Sequence, residues 1–379
     1  MHAEETRVGL DTIEAEDRAA MEDSFRRLLA DRGAEADVRR VMETPEGFDR
    51  ELWRAIADLG VAGLLIEPEY GGLGAGPVEM ERLMEIAGAA LLCGPLFSSG
   101  VLAATLLGLS SDQAAKARLL PKIASGETIC TVALTGDAGL WTPDEVNVNA
   151  SPEGGAFSLS GVASFVTSGQ IADVLLVIAE GPDGRGAYEL DAATPGVVVT
   201  PLETLDMTQR LARIEFDNAV AAKLSGVGPA EIQRVLQTGL VALSGDHAGA
   251  ARRIFDITLD YIKMRVQFGR PVGGFQALKH MAADILIDVE SAISAARNAA
   301  RALASDDARK DAAISLAAFS CADGFMHAAH NALQMHGGIG FTWANPVHLY
   351  LRHARAGVQL FGSSDAHRDR YVAAFENSL

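Results

Sequence analysis

Cysteine is scarce in this chain. Three residues, Cys93, Cys130 and Cys321, occur in 379, and no two stand at metal-ligand spacing. That excludes a cysteine-based metal site and fits thiols in a reducing cytoplasm. Positive charge is also short: 32 Lys and Arg face 50 Asp and Glu, a net charge of −18. A surface so acidic repels phosphate backbones and anionic bilayers, so neither nucleic acid nor a membrane surface is expected as a partner. A local cluster of donors can still hold an anionic cofactor. The opening text, MHAEETRVGLDTIEAEDR, is too acidic for a signal or transit peptide, which predicts a cytoplasmic protein. One uncharged run, residues 86–111, imitates a bilayer span. Gly94-Pro95 and Ser98-Ser99-Gly100 interrupt it, and no Lys or Arg flanks it. It predicts two buried helices separated by a turn. A dinucleotide fingerprint is missing too: PEYGGLGAG at 68–76 has the glycines, but Pro77 stands where the last should be.

What is present falls into three textures, which predict an α+β fold. Residues 1–120 read as a helical domain. Met21, Phe25, Leu28 and Leu29 lie at helical spacing within Glu16–Arg32, and a second helix runs from Phe48 to Leu59. Further helices fill about 78–120. Residues 121–226 read as a compact antiparallel β domain. Its strands are TICTVALTG, VNVNA, AFSLSG, DVLLVIAEG, GVVVTPL and ARIEFDN, parted by turns at 152–155 and 181–184. Residues 227–379 return to helix. One long pattern covers Glu231–Arg265. Leu278, Met281, Ala282, Ile285, Val289 and Ile293 form an apolar stripe on the next, and a third spans about Asp307–Met335. Ala- and Gly-rich faces suggest a tightly packed bundle of the four-helix type.

Two short texts carry chemistry. Arg265-Val-Gln-Phe-Gly-Arg-Pro271 joins the first two helices of the last domain, and Gln334-Met-His-Gly-Gly-Ile-Gly-Phe341 ends the third. Glycines at a helix C-terminus allow positive φ and leave amides free to approach a pyrophosphate. Arg265 offers a forked cation suited to phosphate. R-x-x-F-G and Q-x-x-G-G-x-G-F in this order resemble the signatures of the acyl-CoA dehydrogenase family. The likeness covers nearly the whole chain and includes PEYGGLG, the ALT of 133–135 and the F-V-T of 165–167, where the family usually has W-I-T. The resemblance implies FAD, a cofactor site shared across a dimer interface, an acyl-CoA thioester substrate and electron-transferring flavoprotein as acceptor. It implies that Thr135 bonds the flavin ring, that Phe165 stacks on it and that Thr167 bonds its edge. Arg265 and Phe268 would reach a neighbour's FAD, Gln334, Gly337 and Gly338 would hold its ADP half, and Ser364 joins the cofactor-binding set.

The catalytic base departs from that pattern. The family glutamate of Y-E-G-T falls in Leu360-Phe361-Gly362-Ser363-Ser364, and Gly362 is read at its place. The alternative position, some 25 residues before Arg265, falls at or near Gly239. Three readings stay open. The chain is the non-catalytic partner in an α2β2 enzyme, a likeness carried by DMTQRLARIEFD and LFGSSDAHRDR to subunits acting on steroid side-chain CoA thioesters. Or Asp246 or Asp365 serves as a displaced base. Or the fold runs another flavin chemistry or a structural role. Homo-oligomer and heterotetramer both remain possible, as does the identity of the acyl group. His247, His336, His353 and His367 show no metal-ligand pattern, and the basic C-terminal stretch suits CoA phosphates, a partner or solvent equally.

Overall fold

The computed structural model describes residues 15–139, Trp141 and residues 146–376. Most of the acidic opening text lies outside them. The N-terminal helices are α1 (Ala15–Arg32), α2 (Glu35–Met42), α3 (Arg50–Asp58), α4 (Pro77–Ala89), α5 (Ala104–Leu109) and α6 (Gln113–Ala124). Asp49 caps α3 by accepting from the amides of Glu51 and Leu52. The uncharged run does divide, but at Leu91–Pro95. Ser98, Ser99 and Gly100 lie inside a wide π-helical stretch, Leu96–Ala103, that continues into α5. Gly100 permits this because an added Cβ would lie 3.2 Å from the Ala62 carbonyl, and Ser99 Oγ accepts the Cys130 amide at 3.1 Å.

The central strands are β1 (Cys130–Ala133), β2 (Val148–Glu153), β3 (Ala156–Thr167), β4 (Val174–Gly181), β5 (Gly184–Asp191), β6 (Val197–Pro201) and β7 (Leu211–Lys223). They form one sheet ordered β1-β4-β2-β3-β7-β5, with β6 on β7 and β4 also pairing β5. Most pairings are antiparallel; β1–β4 and β2–β4 are parallel. The strand β5 carries the text GRGAYELD, whose glycines and charges hide its alternation.

After Gly228 the chain is helical: α7 (Pro229–Met264), a hairpin of β8 (Val266–Gln267) and β9 (Arg270–Pro271), α8 (Gln276–Ala304), α9 (Lys310–His336), α10 (Val347–Gly357) and α11 (Ser364–Glu376). The expected stripe on α8 faces the bundle, with Ile285 and Val289 fully buried. Helix α9 is apolar and long enough to cross a membrane, yet over half of that window is packed inside the fold. Helix α4 crosses α7 almost backbone to backbone. A Cβ on Gly88 would lie 2.0 Å from the Asp246 carbonyl, and one on Gly249 1.8 Å from that of Glu85. One apolar core runs from Trp53 and Leu83 through Val132 and Leu176 to Leu236 and Val241. The helical N-terminus, one face of the sheet and α7 thus meet at a common cleft.

Candidate functional site

Strand β3 sets the inner part of the site. Its register with β7 shifts between Ala163 and Val166, and Phe165 sits in that bulge at φ 55°. A bulge re-aims a side chain, and here it lays the ring against Gly139, where an added Cβ would lie 3.1 Å away. Thr135 bridges Ser164, whose amide donates to the Thr135 carbonyl at 2.7 Å. The Thr167 carbonyl accepts from Thr131 Oγ1 at 2.6 Å, while Thr167 Oγ1 is buried without a partner. Thr135, Phe165 and Thr167 are therefore brought together.

Facing them is Phe361, 3% exposed and at φ 64°. A bulky residue in the left-handed region is strained, and such residues gather at functional sites. Its ring stacks on Trp141 (centroids 4.5 Å, 16°) and meets Phe97 edge-on at 5.6 Å. Keeping the glycine of Y-E-G-T in register with Gly362 puts Phe361, rather than Gly362, at the carboxylate's place. The geometry agrees, for the Phe361 side chain is the one turned into the cleft. The alternative position converges on the same point: a Cβ on Gly239 would lie 2.9 Å from Leu102 and 3.1 Å from the Phe361 ring. The cavity between Phe165, Trp141, Val235 and Phe361 is about 10 Å³, and none of its lining residues is a carboxylate. Beside Gly362 stand a neutral imidazole and a guanidinium. Burial, then the Arg370 charge, push His367 down to about 4. Arg370 Nη2 donates to the Trp141 carbonyl at 3.4 Å.

Neither displaced-base candidate reaches this cavity. Asp365 has a side chain 92% exposed and pairs with Arg368 at 2.9 Å. Asp246 is buried on α7, and its Oδ2 lies 2.7 Å from His353 Nε2. His353 Nδ1 lies 2.8 Å from Asp206 Oδ2, in the connection between β6 and β7. Burial alone would lower the His353 pKa, but the charges of Asp246 and Asp206 and their hydrogen bonds raise it to about 10. His353 is therefore a cation clamped between two carboxylates. Asp246 does line a second cavity, of about 40 Å³, together with Thr167, Ser168 and Phe97.

The remaining sequence-predicted residues occupy the outer end of the bundle. Phe268, 90% exposed, and Gly269 have φ of 52° and 76°, the two positive angles of a tight type I′ hairpin between β8 and β9. Arg265, Gln334, Gly337 and Gly338 are exposed. The ends of α7 and α9 are tied by Tyr261, which stacks on His336 at 4.1 Å and donates to its carbonyl at 3.3 Å. Gly338 has nothing within 4 Å of an added Cβ, so its backbone is open to a ligand. Ser364 is engaged elsewhere, donating to Asp323 at 2.7 Å. Among the described residues, no group of three or more His, Cys, Asp and Glu could hold a metal.

The models of the acyl-CoA dehydrogenase N-terminal and C-terminal domains match residues 15–127 and 226–375. Acyl-CoA dehydrogenase IpdE2 of Mycolicibacterium smegmatis is 30% identical over 92% of this chain and 95% of its own length. This chain belongs to the acyl-CoA dehydrogenase family. Two solved structures extend the likeness. The ChsE4-ChsE5 complex from Mycobacterium tuberculosis superposes with a TM-score of 0.89 at 27% identity, over 96% of this chain and 98% of the other. A variant of the Tcur3481-Tcur3483 steroid ACAD gives 0.86 at 28%, with the same coverage.

Acyl-CoA dehydrogenases are FAD-dependent oxidoreductases. In this acyl-CoA dehydrogenase chain the two halves of the expected site differ in their fit to FAD. The outer end, with its cation and open glycine turn, suits a pyrophosphate. The inner cleft has a buried, unpartnered Thr167 hydroxyl as a flavin edge would require, but a 10 Å³ cavity admits about one water and no isoalloxazine. The inner half does not fit the ring as the chain is folded. Sequence reasoning missed Trp141 as a cleft residue, and missed Asp206, which lies 147 residues from His353 with no local signal.

Proposed function

We propose that this chain is the base-lacking partner subunit of a heteromeric acyl-CoA dehydrogenase. One observation carries the reading: Phe361, in the segment that resembles Y-E-G-T, closes the cleft with Trp141 and Phe165 to about 10 Å³, with no carboxylate in the lining. A thioester's α-proton must be taken by a base within hydrogen-bond reach, and neither family position offers one here. The similar ChsE4-ChsE5 complex and Tcur3481-Tcur3483 steroid ACAD support the two-chain assembly, and the second supports a steroid-type CoA thioester as substrate. In such an assembly FAD would supply the hydride acceptor, and the family resemblance makes electron-transferring flavoprotein the next acceptor. This chain's part is binding and exclusion. Arg265 and the amides of Gly337 and Gly338 would meet the pyrophosphate of a flavin whose ring lies in the partner. The Trp141–Phe361 stack keeps water and thioester out of the chain's own cleft.

A second reading, a self-sufficient enzyme using Asp246, is favoured by the cavity that Asp246 shares with Thr167. The test is the visible spectrum of the chain alone and after co-expression with a homologue that keeps the glutamate. The expected result is a colourless or inert protein that gains flavin, bleached by an acyl-CoA, only with its partner. A yellow protein that bleaches alone overturns the proposal, and Asp246→Asn would then decide whether Asp246 is the base.

A further inference from the structure

A groove of about 430 Å³ opens on the C-terminal domain between α9, the segment after the glycine turn, and α10. None of the residues lining the inner cleft reaches it. Its size suits a small organic molecule. Its apolar walls are exposed: Phe341 is 74%, Trp343 54% and Leu205 54% accessible. Clustered exposed apolar side chains of this kind mark a binding surface. The polar lining has one sign. Arg352 and Arg355 reach the groove, and although the chain carries a net charge of −18, no carboxylate lines it.

The larger cleft of about 590 Å³ by α1 and α2 behaves differently. There Arg26, Arg252 and Arg253 share the lining with Glu35, Glu85 and Asp256, so charges of both signs balance. In the 430 Å³ groove the cations stay uncompensated. Arg352 spends one N–H on the Leu205 carbonyl at 3.2 Å and lies 5.0 Å over the Trp343 ring, which holds it at the apolar wall. Neither it nor Arg355 makes an ion pair among the described residues. His348 stands edge-on to Trp343 at 4.6 Å, and its Nε2 is buried and unpartnered. A buried ring nitrogen without a partner is a hydrogen bond left for a ligand to make.

We propose that this groove binds an amphipathic organic anion, with a rigid apolar body against Phe341, Trp343 and Leu205 and a carboxylate or phosphate held by Arg352 and Arg355. The groove shares no lining residue with the inner cleft, so it stands apart from the place of the base. Its test therefore succeeds or fails whether or not the chain is a partner subunit.

Two probes separate the possible head groups: cholate, a carboxylate, and 2-naphthyl phosphate. Methyl cholate supplies the neutral control. Titration calorimetry on the purified protein, alone and in its complex, reads affinity and stoichiometry. Tryptophan emission reads the location for cholate, because Trp53 and Trp141 are buried and Trp343 is exposed. The expected result is one site per chain, with at least one anion bound tenfold or more tighter than methyl cholate. Arg352→Gln with Arg355→Gln should erase that preference while leaving the melting temperature unchanged, and Trp343→Phe should remove the emission change without removing the heat. Failure of both anions to bind, equal binding of methyl cholate, or an unchanged affinity in the double arginine variant would each overturn the proposal.

Discussion

Burial decides how two single residues, Phe361 and Glu81, behave. Phe361 holds a left-handed backbone angle and packs against Trp141 and Phe97, so its ring is part of the core. Truncating a buried phenylalanine costs about 3–5 kcal/mol. Phe361→Ala should lose that much in urea unfolding; a loss below about 1 kcal/mol would mean that the cleft is open in solution. Glu81 is 1% exposed on α4, with Oε1 unpartnered. Burial first, then the charge of Glu85, raises its pKa from 4.5 to about 8. The folded chain keeps this proton where the unfolded chain has released it. Stability therefore falls as pH rises from about 4.5 through 8. Glu81→Gln should flatten that decline in melts from pH 5 to 9, and an unchanged slope would show that Glu81 is not the cause. At this scale the sequence was half legible. The absence of a carboxylate could be read from Leu360-Phe361-Gly362-Ser363, but its register was read one residue off. What fills the space depends on Trp141, which lies 220 positions away in the chain. No local pattern reports such a contact.

At the scale of elements, one connection gathers the whole chain. Between β6 and β7, the Arg210 guanidinium donates to the carbonyls of Met42 and Thr44 at 2.6 and 2.8 Å. The Arg210 carbonyl accepts the Ser168 amide at 2.8 Å. Four residues earlier, Asp206 binds His353 of α10, which also holds Asp246 of α7. Removing a buried cation leaves two buried carboxylates unpaired, a loss of about 3–5 kcal/mol. His353→Asn should show it in denaturant unfolding at pH 6. The sign with pH follows from the raised pKa. His353 stabilises fully below its unfolded value of 6.5, and the contribution fades as pH climbs to about 10. The variant should approach the native protein's stability toward pH 10. If instead the gap is the same at pH 6 and pH 10, His353 is neutral in the fold. On the acid side, burial holds His247 and His367 near 4, so stability also falls from pH 6.5 toward 4. The two trends leave a maximum near neutrality. Long periodic elements such as α7 and α9 were legible because their apolar spacing repeats. Helix α2 was not, since it has eight residues and no side-chain cap at Ala34. Strand β5 and the Phe165 bulge were hidden because sheet pairing, not local text, creates them.

For the whole molecule, the inner cleft and the outer end ask different things of a partner. The cleft is shut and needs nothing. The outer end leaves Phe268 at 90%, Met264 at 75% and Val266 at 55% exposure, beside the cation Arg265 and the open turn at Gly337 and Gly338. Apolar residues this exposed mark a contact surface, and large aromatic anchors carry a disproportionate share of its energy. The two kinds of residue should then separate on mutation. Phe268→Asp puts a charge where a partner's apolar surface must close, and it should abolish co-purification with the partner while the single chain stays folded. Arg265→Ala removes the cation proposed to meet the flavin's pyrophosphate. It should leave the complex intact by sedimentation yet weaken flavin retention at least tenfold, since a charge-assisted bond to phosphate is worth about 1.5–3 kcal/mol. If both variants released flavin and partner together, cofactor and assembly would be one inseparable event. If neither did, the exposed end would be no interface at all, and the flavin would have to enter through the cleft that Phe361 now closes.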